Sequence, residues 1–577
     1  MSCVPSTNRV LRALATTLLL ALLVPAAAHP QSRRDNLTTI QNLVPNSAVG
    51  FISLPSIATV QATLEMMHAE LEEGGDPPQL LESVADQLGA DPDAIDTQRP
   101  LAVAFAFHEP GGPPVPTAIV PVLREDPVFD LESSPFSAVR ETDQGYVAIS
   151  VLPDYAAGES FVALDAERLH DDLLLSLDLK TVFSLYGPWI QFYIANMMAE
   201  MEKEEQDPAA AELTRAGVDW LGRFMESAQR LDLGLALQSS GFSLKSTLHT
   251  RADGEPLIPV REPERIFDLA RCLPKSYSAV SIVGADMHSL ADLANMVNMA
   301  NLSKPDETIP QELRETMLQL ADSVAELQRF TAGPMISAVE MEQGGIESIQ
   351  ILLSEEAAAF IDVFERFLDS LEPLEAFGLT IEKQDPTSLE GTPVHNYRLG
   401  FDPEWIKVRR EPDNDFPIRN LGEIKARLFG AETAALRLAV VDDVIVTVMH
   451  QDEAVMGEVL RRLRNGGGQV PENLRSLSSA HPVAPWLAAD VDLRALIVPI
   501  LEALIVEEVL DDPTAYRAFV EGGPVPLAIS GSLQDGVYRG ELRSNLRALA
   551  DFMDAMKELD AEAKERRARQ EEGYREG

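Results

Sequence analysis

The chain has 577 residues, and its 47 Lys and Arg against 92 Asp and Glu give a formal net charge of −45. That length exceeds one ordinary hydrophobic core and calls for two or more domains, while a hydrophobic content of 45% is that of a globular chain. Such acidity disfavours phosphate backbones and anionic lipid, so nucleic acid is excluded as an expected partner. A basic partner, or weak and non-specific association with divalent cations, remains compatible with it.

The N-terminus reads as an export signal. Arg9 and Arg12 precede an apolar run from Ala13 to Val24, Pro25 breaks the run, and Ala26-Ala27-Ala28 supplies small residues for cleavage. The run falls short of the roughly 20 apolar residues that span a bilayer, so residues 1–28 are expected to be removed; a retained anchor is the alternative. The expected location is secreted or periplasmic, with no membrane span after cleavage. Loss of the two arginines takes the mature charge to −47 (−45 minus 2) and leaves Cys272 as the only cysteine. One cysteine closes no internal disulfide, so the exported chain depends on its core.

After a flexible lead-in over 29–43, a pattern of strand, helices and hairpin recurs four times. Ala48 to Leu54 reads as a buried strand. Ile57, Val60, Leu64, Met67 and Leu71 then share one helix face, and a second helix runs from about Pro78 to Leu88, stopped by Gly89. Leu101–Phe107 and Thr117–Val122 form the hairpin. The second unit comprises a strand over Leu174–Leu179, helices over Val182–Met198 and Ala209–Ala228, and a hairpin of Leu231–Leu237 with Phe242–His249. The third has a strand at Ser278–Val283, helices over His288–Met299 and Gln311–Leu327, and a hairpin of Met335–Met341 with Ile346–Leu353. The fourth has a strand at Trp486–Val491, a helix over Leu493–Val509, and a hairpin of Val525–Leu533 with Val537–Leu542, turning at Asp535-Gly536. Leu177-Asp178-Leu179-Lys180 resembles Val491-Asp492-Leu493-Arg494, and between the paired units sit similar strand-turn-strand pieces whose last strands are Tyr146–Ser150 in one half and Val444–Val448 in the other.

The expected fold is therefore α+β, with two divergent halves at 44–255 and 256–559. Each is built of repeated strand-helix-hairpin units that form mainly antiparallel sheets with packed helices. The second half is longer, with a charged insertion at Arg409–Pro417. Leu546, Leu549, Met553, Met556 and Leu559 give a last helix one apolar face, and 560–577 is a charged helical tail.

Three segments carry a resemblance: Leu43-Val44-Pro45-Asn46-Ser47-Ala48, Leu88-Gly89-Ala90-Asp91-Pro92-Asp93 leading to Arg99-Pro100-Leu101, and Leu533-Gln534-Asp535-Gly536. In these the chain resembles large exported bacterial proteins of the planctomycete type that carry a domain of unknown function. The resemblance covers most of the mature chain and implies an exported, uncharacterised α+β protein. It implies no activity and no site residues.

The residues themselves offer few candidates for chemistry. Glu65/His68 and Glu167/His170 are two Glu-x-x-His elements, the spacing that di-iron bundles use; exposed helix faces are the simpler reading. Asp91, Asp93 and Asp96 lack the glycine and distant glutamate of a calcium loop and fit helix capping. Asp413-Asn414-Asp415, in the insertion, reads as a polar loop, with a weak cation site as the alternative. Cys272 lies between Arg271 and Lys275, which lower a thiol's pKa, yet a buried and inert cysteine is the simpler reading. Gly466-Gly467-Gly468 ends a helix. Asn36 and Asn301 fit the glycosylation pattern. No catalytic, cofactor-binding or metal residue is assigned, and no cofactor is expected. The expected role is a non-catalytic binding or structural module for a protein or polymer partner. The alternative is an extracellular hydrolase that uses a carboxylate pair.

Overall fold

Apolar runs, some alternating with polar residues and some buried throughout, decide the strands in this computed structural model. It describes residues 40, 42–45, 47–70, 79–107, 114–123, 138–141, 145–150, 173–203, 208–238, 241–254, 256–286, 320, 323–342, 345–372, 378–401, 430–505, 520–558 and 561. The strands in chain order are β1 (Ala48–Leu54), β2 (Leu101–Phe107), β3 (Pro114–Pro121), β4 (Ala138–Glu141), β5 (Tyr146–Ser150), β6 (Leu173–Leu177), β7 (Ala228–Gln238), β8 (Gly241–Thr250) and β9 (Ala279–Val283), then β10 (Met335–Glu342), β11 (Gly345–Leu353), β12 (Leu379–Leu389), β13 (Thr392–Phe401), β14 (Thr433–Val441), β15 (Val444–Met449), β16 (Leu487–Asp492), β17 (Pro526–Gln534) and β18 (Val537–Ser544). The helices used below are α1 (Ile57–Glu70), α2 (Leu80–Leu88), α3 (Leu179–Lys203), α4 (Pro208–Ser227), α5 (Pro263–Leu269), α6 (Phe360–Ser370), α7 (Ala454–Asn465), α8 (Glu472–Ser478) and α9 (Leu493–Ile505).

The chain clusters into two units. The first comprises 1–194, 223–254 and 535–547; the second comprises 195–222, 255–534 and 548–577. The first unit's sheet runs β4-β5-β3-β2-β1-β6-β7-β8-β18, antiparallel throughout, and takes its last strand from near the C-terminus. One core gathers Ile57, Val60 and Leu64 of α1 and Leu80, Ala85 and Leu88 of α2 with Val120, Ile149, Leu235 and Leu237 of the sheet. Another gathers Ile40, Leu43 and Val44 with Phe51, Ala104, Ile119 and Tyr146. Gly89, at φ 63°, closes α2 by donating to Ala85 and Asp86.

The second unit's sheet runs β12-β13-β14-β15-β11-β10-β9-β16-β17, again antiparallel throughout. Its main core joins Val280, Ile282, Ile336, Ile349 and Val446 of the sheet to Ile266 of α5, Met456, Val459 and Leu460 of α7 and Leu474 and Leu477 of α8. A smaller aromatic core packs Phe330, Phe360, Phe364 and Tyr397. The helix over 546–558 places Phe552, Leu549 and Met556 against Leu493, Ile497 and Val498 of α9.

The expected α+β class is the observed one, with antiparallel sheets and packed helices. β1, β2 and β5 have the bounds expected from sequence. β6 ends at Leu177 and not Leu179, because Asp178 caps α3 by accepting from the Thr181 amide (3.0 Å) and hydroxyl (2.6 Å). The hairpin β12–β13 and helices α5, α6 and α8 were not expected, whereas α7 ends at Asn465, before the Gly466 expected to close a helix. The signal segment, the helix over His288–Met299, the insertion at Arg409–Pro417 and the tail from 562 lie outside the described residues.

Candidate functional site

In β7 the alternation sends Leu231, Leu233, Leu235 and Leu237 to one face and Arg230 and Asp232 to the other. Register places Ser176 of β6 and Thr247 of β8 on either side of Asp232. The result is a buried polar hub, with Asp232 only 2% exposed. Ser176 Oγ donates to Asp232 Oδ1 at 2.7 Å. Arg230 binds both carboxylate oxygens, Nε to Oδ1 at 2.8 Å and Nη2 to Oδ2 at 2.6 Å. His249 Nε2 lies 3.5 Å from Oδ2. Burial opposes ionisation of Asp232, but hydrogen bonds from His249, Arg230 and Ser176 outweigh it and hold the carboxyl below its ordinary value. A Ser, an Asp and a His therefore meet, but the serine spends its proton on the carboxylate and not on the imidazole. Nucleophilic catalysis needs the opposite arrangement.

In the second unit, Glu340 of β10 and Glu347 of β11 stand directly opposite each other, a position that brings Cβ atoms to about 4.5–5.5 Å. The segment before β9 answers both charges. Tyr277 Oη donates to Glu347 Oε1 at 2.6 Å, and Lys275 Nζ lies 3.2 Å from Oε2. The Ser278 amide donates to Glu340 Oε2 at 3.0 Å, and its hydroxyl donates to Oε1. All four carboxylate oxygens are engaged. Burial and the adjacent Glu347 raise the Tyr277 phenol well above its ordinary value, so it stays a hydrogen-bond donor. The same segment is pinned by Arg462, which donates to the carbonyls of Leu273 (2.6 Å) and Pro274 (3.0 Å).

The remaining clusters follow the same rule. His481 bridges Ser530 (2.8 Å) and Ser532 (3.0 Å), one on each ring nitrogen. Glu365 of α6 ion-pairs with Lys383 at 2.5 Å and accepts from Tyr397 Oη at 3.3 Å. The Lys383 hydrogen bond, opposed by burial, holds the Glu365 carboxyl below its usual range.

The sequence candidates separate in space. Glu65 accepts from Gln61 Nε2 at 2.9 Å on an exposed face of α1. Asp91 caps the short helical turn Pro92–Ala94 by accepting from the Asp93 amide, and Asp96 accepts from the Gln98 amide to close a turn. Cys272 is 5% exposed, and burial pushes its thiol up to about 11 against the opposing charge of Arg462. Gly466 ends α7 at φ 64°. Glu167, His170, Asp413, Asn414, Asp415, Asn36 and Asn301 lie outside the described residues. Among the described residues no group of three or more His, Cys, Asp or Glu is placed to hold a metal ion.

Among the described residues, the densest group of exposed large apolar side chains lies on α3, which the sequence pattern gives only as a helix over Val182–Met198. At its root α3 is packed: Phe183 meets Phe224 of α4 edge-to-face at 5.8 Å, and a Cβ on Gly187 would touch Met225. Beyond Pro188, Trp189 is 65%, Phe192 61% and Tyr193 71% exposed. Spacings of three and four put these rings on one side of the helix. From Thr181 to Ala199 the sequence holds no charged residue, in a chain that is 24% charged. That contrast was the available signal. Among the described residues no helix is long and apolar enough to cross a membrane.

No family model, curated protein or solved structure matches the chain.

Proposed function

We propose that this is an exported, non-catalytic binding module built of two divergent repeats, which meets a protein partner through the outer half of α3. The observation that carries the reading is a division of labour. The titratable clusters at Asp232, Glu340/Glu347 and Glu365, of which Asp232 and Glu347 are buried, spend their donors and acceptors on the fold. The large exposed aromatic side chains of α3 have no such task. Trp and Tyr are the side chains that most often anchor protein interfaces. Export rests on the signal-like segment over 1–28 and on the resemblance to exported bacterial proteins.

Several observations support the repeat. Strands β4-β5-β3-β2-β1-β6-β7 and β14-β15-β11-β10-β9-β16-β17 run in the same order with the same polarity. The Asp178 amide donates to Val49 O at 2.7 Å, and the Asp492 amide donates to Ser278 O at 2.7 Å, at corresponding places. The Val122 amide donates to Gly145 O at 3.1 Å, and the Ser354 amide to Asp443 O at 3.0 Å, also at corresponding places. Pro100 and Pro334 each stand immediately before the second strand of their set.

A polymer hydrolase is the second reading, and Glu340/Glu347 is the pair it would use. The test is hydrolysis of extracellular polysaccharides by the wild-type chain and by the Glu340→Gln/Glu347→Gln variant. The binding reading expects no turnover by either. Turnover abolished in the variant would establish the enzyme reading.

A further inference from the structure

We infer that the partner seated on the outer half of α3 is a cationic polypeptide surface with an apolar pocket. This rests on the reading of α3 as the contact surface. The helix carries two kinds of information in sequence. First comes the aromatic turn Trp189, Phe192 and Tyr193, exposed at 65%, 61% and 71%. The same helix then continues through Glu200 and Glu202 to its end at Lys203. An apolar anchor with a charged margin is the anatomy of a protein interface, and the charge of the margin selects the complementary partner.

The overall charge argues the same way. At a formal −45, two copies of this chain repel each other, and so do the chain and an anionic bilayer. A cationic partner is instead drawn in over the distance that salt leaves unscreened, about 8 Å at physiological ionic strength. Aromatic rings set the residence time of such a complex, and acidic groups set its rate of formation. The exposed rings add no charge of their own, so they supply the contact without weakening the attraction.

The test uses the full chain and a fluorescein-labelled 18-residue amphipathic peptide of Leu and Lys, followed by fluorescence anisotropy. A Leu and Glu peptide of the same pattern is the control. The expected results are saturable 1:1 binding of the Lys peptide, weakening at higher salt, and no binding of the Glu peptide. Trp189→Ala/Phe192→Ala/Tyr193→Ala leaves the charge unchanged and is expected to weaken binding at least tenfold. Glu200→Gln/Glu202→Gln is expected to weaken it a few-fold and to reduce its salt dependence. Lys-peptide binding that the aromatic variant leaves intact would overturn the inference, because diffuse acidity alone would then explain it. Two further arms identify another occupant. Self-association in sedimentation velocity, or flotation with phosphatidylcholine vesicles, that the aromatic variant abolishes would overturn the cationic partner while leaving α3 as the contact surface. An aromatic variant that matches wild type in all three arms would overturn both.

Discussion

At the scale of single residues, Asp232 shows how a buried charge is held in this fold. Asp232→Asn leaves Arg230 buried, at 8% exposure, without its bidentate partner, and breaking a buried pair from one side costs about 3–5 kcal/mol. Urea unfolding at pH 7 should show a loss of that order for the first unit. Because the folded carboxyl is held below its unfolded value, its stabilisation is complete above the ordinary carboxylate range and is lost as the pH falls through the folded value. The difference between wild type and Asp232→Asn should therefore narrow in acid, below about pH 4. A difference that stays constant down to pH 2 would show that the carboxylate charge is not what matters. Cys272 gives a second expectation at this scale. Buried, and with its thiol raised to about 11, it should resist iodoacetamide at pH 8 in the folded chain and react in urea. Rapid labelling of folded protein would contradict the packing around Arg462.

Among the elements, the segment from Arg271 to Ser278 is fastened on several sides, and Gly468 is one of the fasteners. A Cβ there would lie 2.1 Å from the Arg271 carbonyl oxygen, which backbone cannot vacate cheaply. Gly468→Ala should lower the second unit's unfolding midpoint, while Gly467→Ala, whose Cβ meets only Asn465 O at 3.7 Å, should not. Equal effects would mean that the close approach is not structural. The edge strand β12 explains one failure of sequence reading. Glu382, Lys383, Asp385, Pro386, Thr387 and Ser388 are all exposed, so no apolar face alternates to announce a strand. Pro386 and the register break between Gln384 and Thr387 also suit an edge that discourages further pairing. β1 and β5 were legible because their burial is continuous, and α1 because Ile57, Val60 and Leu64 recur at helical spacing. Helix α6 carries the same helical spacing in Phe360, Val363, Phe364 and Phe367. The polar hubs were not legible at all. Ser176, Asp232 and Thr247 meet only through strand register, across 56 and 15 residues of sequence.

For the whole molecule, the acidic excess is spread along the chain. Among the described residues no metal-type cluster concentrates it, and exposed carboxylates act on ions through water of high dielectric constant. Calorimetry with calcium, magnesium or zinc should give weak, salt-sensitive heats without stoichiometry. A saturable micromolar site that persists in high salt would contradict this. The central claim is that the buried clusters serve the fold and the α3 aromatics serve recognition. One set of thermal unfolding curves at pH 7 tests it, on wild type, Trp189→Ala/Phe192→Ala/Tyr193→Ala, Asp232→Asn and Glu347→Gln. Truncating exposed side chains changes stability by about 0.5 kcal/mol or less, whereas disrupting a buried charged network costs several times that. The aromatic variant should therefore melt with the wild type, and the two cluster variants well below it. An aromatic variant that melts as low as the cluster variants would show that those rings belong to the core of the chain, and the division between fold and recognition would fail.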